Sequence, residues 1–221
     1  MFKSFVFSFI FLPTILFSAA CNGSSAQKMT DAQRPVDTTR YGKLDTAYFA
    51  SGCFWCVEAV YERLYGVKEA VSGYSGGTTK NPTYEQVGAH ATGHAEAVAV
   101  FYDPKLISYE TLVKVYFGSQ NPTQVNGQGP DNGSPYRSII FYRRAEEQKI
   151  AEAQKKILGE SGKYSEPIAA EIIPFEVFYD AEDYHQNYER LNPQNPYVQR
   201  ISIPRLRKME AQFPELLKKE Q

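Results

Sequence analysis

The chain is poor in sulfur. Three cysteines in 221 residues exclude a disulfide-dense scaffold and raise the question of what each one does. Charge of one sign is missing too. The 24 Lys and Arg against 25 Asp and Glu give a formal net charge of -1, which leaves no basic footprint for a nucleic acid. Beyond residue 20 no apolar run is long enough to span a bilayer, and no internal repeat is visible. Tryptophan occurs once and histidine three times. His90 and His94 have the i, i+4 spacing of a metal pair, but Thr92-Gly93 argues against a helix there. No further ligand cluster is evident, so all three histidines, His185 included, are expected to make structural hydrogen bonds. What is present is ordinary for a globular chain: 43% hydrophobic and 22% charged residues, with 16 Tyr and 14 Phe. The length suits one domain, or one domain and a tail.

Residues 1–20 combine an early Lys3, an apolar run from Phe5 to Phe17 and the small residues Ser18-Ala19-Ala20. That is the layout of an export signal; the run is short for a membrane span and contains Pro13. Cys21 follows directly, so the leader resembles a bacterial lipoprotein signal with Cys21 as the lipidated first residue of the mature chain. Ser18 stands where Leu is usual three residues before that Cys, and ordinary cleavage after Ala20 fits as well. The expected location is the bacterial cell envelope, with the membrane reached through the lipid. Residues 21–43 are polar and aperiodic and read as a flexible linker.

A folded domain is expected over 44–213, with a C-terminal tail at 214–221. Residues 45–51 are strand-like and end at Gly52. Val57, Val60, Tyr61 and Leu64 mark one face of a helix that Gly66 ends. Strands are predicted at Val67–Tyr74, 94–103, Arg137–Tyr142 and Ile168–Phe178. Helices are predicted after Ser108, over Ala145–Leu158 and near Arg205–Phe213. Residues 119–135 read as a long loop. Strands and helices that do not strictly alternate indicate an α+β domain.

Cys53 falls where a strand meets a helix N-terminus, a place that favours a thiolate. Cys56 lies about one helical turn on, within reach of Cys53. This C-x-x-C pair can be a cycling dithiol, half of a zinc site, or two small core residues. The absence of a second Cys pair counts against zinc.

Gly52-Cys53-Phe54-Trp55 resembles the active-site signature of the A-type peptide methionine sulfoxide reductases. Seven further segments agree in order: Gly73-Tyr74-Ser75-Gly76-Gly77, Asn81-Pro82-Thr83-Tyr84, Gly93-His94-Ala95-Glu96, Asn121-Pro122-Thr123-Gln124, Gln128-Gly129-Pro130-Asp131, Tyr136-Arg137-Ser138 and Ala181-Glu182-Asp183-Tyr184-His185-Gln186. The resemblance covers roughly residues 46–200. It implies a two-layer α/β plait with a ferredoxin-like core and long coil segments. It implies reduction of the S epimer of methionine sulfoxide, free or in oxidised proteins, by a monomer with no cofactor. It assigns Cys53 as nucleophile and Glu96 as proton donor. Tyr84, Asp131 and Tyr136 would fix the sulfoxide oxygen and support Glu96 through hydrogen bonds, and Phe54 and Trp55 would wall the methyl group. Thioredoxin or a thioredoxin-like protein would supply electrons.

Glu96 can also be read physically. On a strand it shares a face with Val98, Val100 and Tyr102, and a carboxyl losing hydration there stays protonated near neutral pH. The chain departs from the family where resolving cysteines are common. Gly88 occupies one such place, no Cys follows position 56, and Cys56 stands where relatives often have Gly. The resemblance therefore leaves Cys56 as the resolving thiol, or an external thiol in its stead. Pro130 and Ser134-Pro135 also replace more usual polar residues in the glycine-rich loop. A general C-x-x-C thiol–disulfide oxidoreductase and a non-enzymatic envelope lipoprotein are the competing readings; neither needs Glu96 or the tyrosines.

Overall fold

A computed structural model describes Met1 and residues 42–219. The leader, Cys21 and nearly all of the linker lie outside the described residues. The chain builds β1 (Asp45–Ser51), α1 (Phe54–Glu62), β2 (Val67–Ser75), α2 (Tyr84–Gly88), β3 (Ala95–Tyr102) and α3 (Tyr109–Gly118). It continues through the two-residue strands β4 (Gly127–Gln128) and β5 (Asp131–Asn132) to β6 (Ser138–Tyr142) and α4 (Ala145–Glu160). Last come β7 (Glu171–Pro174), β8 (Phe178–Asp180), α5 (Tyr188–Leu191) and α6 (Ile203–Gln212). Six strands form one sheet in the order β7-β6-β1-β3-β2-β8. All neighbours are antiparallel except β6 and β7, which run parallel.

Central β3 shows why the sheet sits where it does. Its eight residues are all buried, and alternate ones enter two cores. Val98, Val100 and Tyr102 join Phe49 against α1 and α3, while Ala95, Ala97, Ala99 and Phe101 pack with Tyr48, Ile139, Phe141 and Phe178 on the other face. The helical face is rich in tyrosine, and two of its buried hydroxyls are satisfied: Tyr61 Oη donates to Leu112 O (3.2 Å) and Tyr116 Oη to Ala50 O (3.1 Å), whereas Tyr109 Oη is buried without a partner among the described residues. Ser108 caps α3 by accepting from Thr111 N–H, as its position before the apolar face suggests.

Most of the expected elements are present, with two changes. Leu64 lies beyond the end of α1 but remains buried, because the turn that follows folds back on the core. The single strand expected over Ile168–Phe178 is two. β7 pairs with β6 at one edge, and β8 pairs with β2 at the other. Pro174 lacks an N–H; Phe175 N–H makes the last bond to β6, to Tyr142 O (2.8 Å), and its ring stacks on Tyr48 at 3.8 Å. Four peptide steps from Pro174 to Phe178 reach about 14 Å, whereas the outer strands of a flat six-stranded sheet lie about 24 Å apart. The sheet must therefore curl, which brings its two edges together. Residues 214–218 pack back on the α1–β2 turn: Tyr65 N–H donates to Leu216 O (2.7 Å) and Lys218 N–H to Arg63 O (2.8 Å). Among the described residues no helix is long and apolar enough to cross a membrane.

Candidate active site

The site forms where β1 hands over to α1. Gly52 turns the chain at φ +74°, and a Cβ there would come within 2.5 Å of Gln128 Cβ, so glycine is required. Gln128 is itself held by Asn121, donating to its carbonyl (3.0 Å) and accepting from its N–H (2.9 Å). Cys53 then takes the N-cap position of α1 without capping it through its side chain. That task falls to Glu96, which reaches over from β3 and accepts from Phe54 N–H at 3.0 Å.

Glu96 is 3% exposed, and burial is the main force that pushes its carboxyl up to about 8; the charge of Asp131 adds to it. It is thus held as an acid at neutral pH. Cys53 is buried too. The expectation that the helix terminus would favour its thiolate is reversed: desolvation, its hydrogen bond with Cys56 and the Glu96 charge all push this thiol up. The physical reason is burial, which outweighs the helix terminus, whose first amide bonds Glu96 instead of the sulfur. Cys56 is held down to about 7, first by the hydrogen bond from Cys53, with Arg205 also favouring its charged form. The dithiol therefore shares one proton, with its charge resting first on Cys56.

The aromatic residues meet around these groups. Phe54 is almost wholly buried, with its ring against His185 (4.9 Å), Tyr74 (5.9 Å) and Tyr84 (6.4 Å). Half-buried Trp55 stacks on Tyr188 at 3.7 Å, and its Nε1–H donates to His185 Nδ1 at 3.1 Å. Tyr84 and Tyr136 are half-buried, and Glu96 and Cys53 are near enough to raise both phenols further above their ordinary range. Asp131 comes to the same place from the small β4–β5 hairpin. The structure thus gathers Cys53, Cys56, Phe54, Trp55, Tyr84, Glu96, Asp131 and Tyr136. One expected detail is different: neither tyrosine hydroxyl hydrogen-bonds Glu96, whose partner is the Phe54 N–H. Asp131 accepts instead from Tyr197 Oη at 2.6 Å.

Sequence reasoning gave no part to Tyr197, Glu182 or Arg205. Glu182 accepts from Tyr84 N–H (3.0 Å) and Tyr74 Oη (2.8 Å), fixing two aromatic residues at once. The Ala181–Gln186 segment was visible as a motif, but only its fold-back onto β2 shows what it supports. Of the three histidines expected to hydrogen-bond, His94 does so at both ring nitrogens, His185 does so at Nδ1 while its buried Nε2 has no hydrogen-bond partner, and the His90 ring has no hydrogen bond among the described residues. His94 Nδ1 accepts from Gly77 N–H, so Nε2 donates to Thr79 O (2.8 Å). Among the described residues no cluster of three or more His, Cys, Asp or Glu could hold a metal ion.

Comparison with known proteins agrees with this geometry. A family model described as peptide methionine sulfoxide reductase matches residues 45–217. The chain is 48% identical over 172 residues to the peptide methionine sulfoxide reductase MsrA of Pasteurella multocida, covering 78% of this chain and 98% of that protein. It is 46% identical over 170 residues to the MsrA of Natronomonas pharaonis, covering 77% and 96%. Among solved structures, the reduced form of Mxr1 from Saccharomyces cerevisiae is similar with a TM-score of 0.62 at 33% identity, over 72% of this chain and 90% of that one. Methionine sulfoxide reductase A of Corynebacterium diphtheriae gives 0.60 at 34% identity, over 69% and 76%. A dithiol beside a buried acid, in a mixed α/β fold shared with these enzymes, has one consistent reading: the chain belongs to the A-type peptide methionine sulfoxide reductase family.

Proposed function

We propose that the methionine sulfoxide reduction of this family is carried out here by Cys53 and Glu96, with Cys56 closing the cycle. The observation that carries this reading is the buried, protonated Glu96 held beside Cys53 by the first amide of α1. The substrate's methyl group packs on Phe54 and Trp55, and the S=O dipole meets the hydroxyls of Tyr84 and Tyr136. Cys53 passes its proton to Cys56 along their hydrogen bond and attacks the sulfoxide sulfur as Glu96 protonates the oxygen. Methionine leaves, and Cys53 becomes a sulfenic acid. Cys56 condenses with it, releasing water and forming a disulfide. A thioredoxin-like dithiol then reduces that disulfide by exchange. Asp131, through Tyr197, fixes the far wall of the pocket. The S epimer is the substrate, in proteins or free.

The order β6-β1-β3-β2, with α1 and α3 as the two crossovers, supports a ferredoxin-like plait as the core of the fold. For the N-terminal residues, the apolar run and the small residues before Cys21 support export and lipid anchoring in the cell envelope. The test of the function is single-turnover reduction of the two resolved sulfoxide epimers by the reduced enzyme. The S epimer should yield about one methionine per chain and the R epimer none.

A further inference from the structure

Arg205 makes no ion pair with a carboxylate among the described residues, although its charge also acts on Asp131. From α6 its Nη1 donates to Ser51 O (2.8 Å), its Nη2 to Ser51 Oγ (2.7 Å) and its Nε to Ser119 O (2.8 Å). All three acceptors are neutral. Among the described residues no Asp or Glu lies within ion-pair distance of it. Ser51 is two residues before Cys53, so these bonds hold the guanidinium at the start of α1, next to the dithiol.

The chain reaches this place through a π-helical turn, Val198–Ser202, a geometry that often accompanies functional sites. The residues at its ends, Tyr197 and Ser202, both border Cys56; Tyr197 Oη lies 3.8 Å from its sulfur. Each hydroxyl also bonds a carboxyl, Tyr197 to Asp131 and Ser202 to Glu189, so its proton is shared between that carboxyl and the Cys56 sulfur. The groups facing Cys56 are Cys53 and Glu96 from the reacting side, the Tyr197 and Ser202 hydroxyls, whose hydrogen bonds also favour its charged form, the Asp131 and Glu189 carboxyls behind those hydroxyls, and one cation, Arg205.

We propose that Arg205 is a positioning residue for the second half-reaction, its guanidinium, fixed on Ser51 and Ser119, favouring the Cys56 thiolate that attacks oxidised Cys53. The inference rests on Cys56 as the resolving thiol. In that step Cys56 Sγ bonds to Cys53 Sγ and the S–O bond of the sulfenic acid breaks. The hydroxyl leaves as water with the proton that Cys56 gave up. The Cys56 sulfur is oxidised and the Cys53 sulfur is reduced to the disulfide level. The downward pull of Arg205 on the Cys56 thiol agrees with this.

The test separates the two steps by rapid quench. Reduced enzyme is mixed with one equivalent of the S-sulfoxide of methionine at a series of pH values. Methionine formation reports the first step, and decay of trappable sulfenic acid reports the second. Arg205→Gln should slow condensation about tenfold or more relative to methionine formation below pH 7, and move its pH midpoint up by about one unit. Arg205→Lys keeps the charge while losing the fork to Ser51, so its midpoint should stay at the wild-type value even though its melting temperature falls. It decides the matter even where Arg205→Gln does not fold. A shifted midpoint in folded Arg205→Lys, or an unshifted one in folded Arg205→Gln, would overturn the proposal and leave Arg205 a structural tie. Normal turnover by Cys56→Ser would overturn the resolving-thiol reading itself, and the two failures are thus distinguishable.

Discussion

At Cys53 two tendencies oppose each other. A helix N-terminus favours a thiolate, and burial disfavours it; burial wins, and the first amide bonds Glu96 rather than the sulfur. The family resemblance located both residues, and the pattern agreed with it, since Cys53 precedes a helical face and Glu96 alternates with Val98 and Val100. The sequence could not show that they share one amide, because a contact between residues 54 and 96 depends on register. Cys53→Ser should abolish methionine formation in a single turnover. Glu96→Gln, of nearly the same shape, should slow that step by about 10²–10⁴-fold and leave the melting profile near wild type. The pH sign follows from the acid form being the useful one. The first step should weaken as pH rises through about 8, and Glu96→Gln should lose that limb; a wild-type limb retained in the variant would assign it to another group.

Between elements, Glu58 ties α1 to β2 and to the turn just after Gln186, accepting from Ser72 Oγ and from Asn187 N–H. Asn187 holds a left-handed conformation at φ 55°, so this bond secures the turn that aims His185 at Trp55. Burial pushes the Glu58 carboxyl from its ordinary 4.5 up to about 8. A carboxyl raised on folding binds its proton more tightly when folded, so its contribution is full below about 4.5 and is lost as pH rises to about 8. Glu58→Gln should remove one proton from that slope, about 1.4 kcal/mol per pH unit at most. Urea midpoints from pH 5 to 9 check this, and an unchanged slope would mean that Glu58 is ionised in the folded protein. Nothing in the pattern of residues distinguished Glu58 from other charges on α1, because its partners lie on segments distant in sequence. The Ile168–Phe178 region was misread for a related reason: two short strands on opposite edges look like one strand until the sheet curls.

For the molecule as a whole, the mixture of strands and helices was legible and the curl was not, since closure depends on how far residues 174–178 must reach. The N-terminal proposal belongs at this scale. A chain beginning at Asp45 should be soluble and as active as the full one, while the full chain should partition to membranes. Stable attachment needs more than one acyl chain, so mass spectrometry of the mature N-terminus should find Cys21 multiply acylated. An unmodified terminus would favour simple secretion, and an intact leader a membrane anchor. The central claim, however, is that this chain reduces one sulfoxide with Cys53 and stores the oxidation as a bond to Cys56. The measurement that tests it most directly is peptide mapping of the reduced enzyme after one turnover with the S-sulfoxide. The account predicts about one methionine released per chain and a disulfide-linked peptide joining Cys53 to Cys56, with no free thiol at either position. Stoichiometric methionine with Cys56 still free, or no methionine at all, would contradict it.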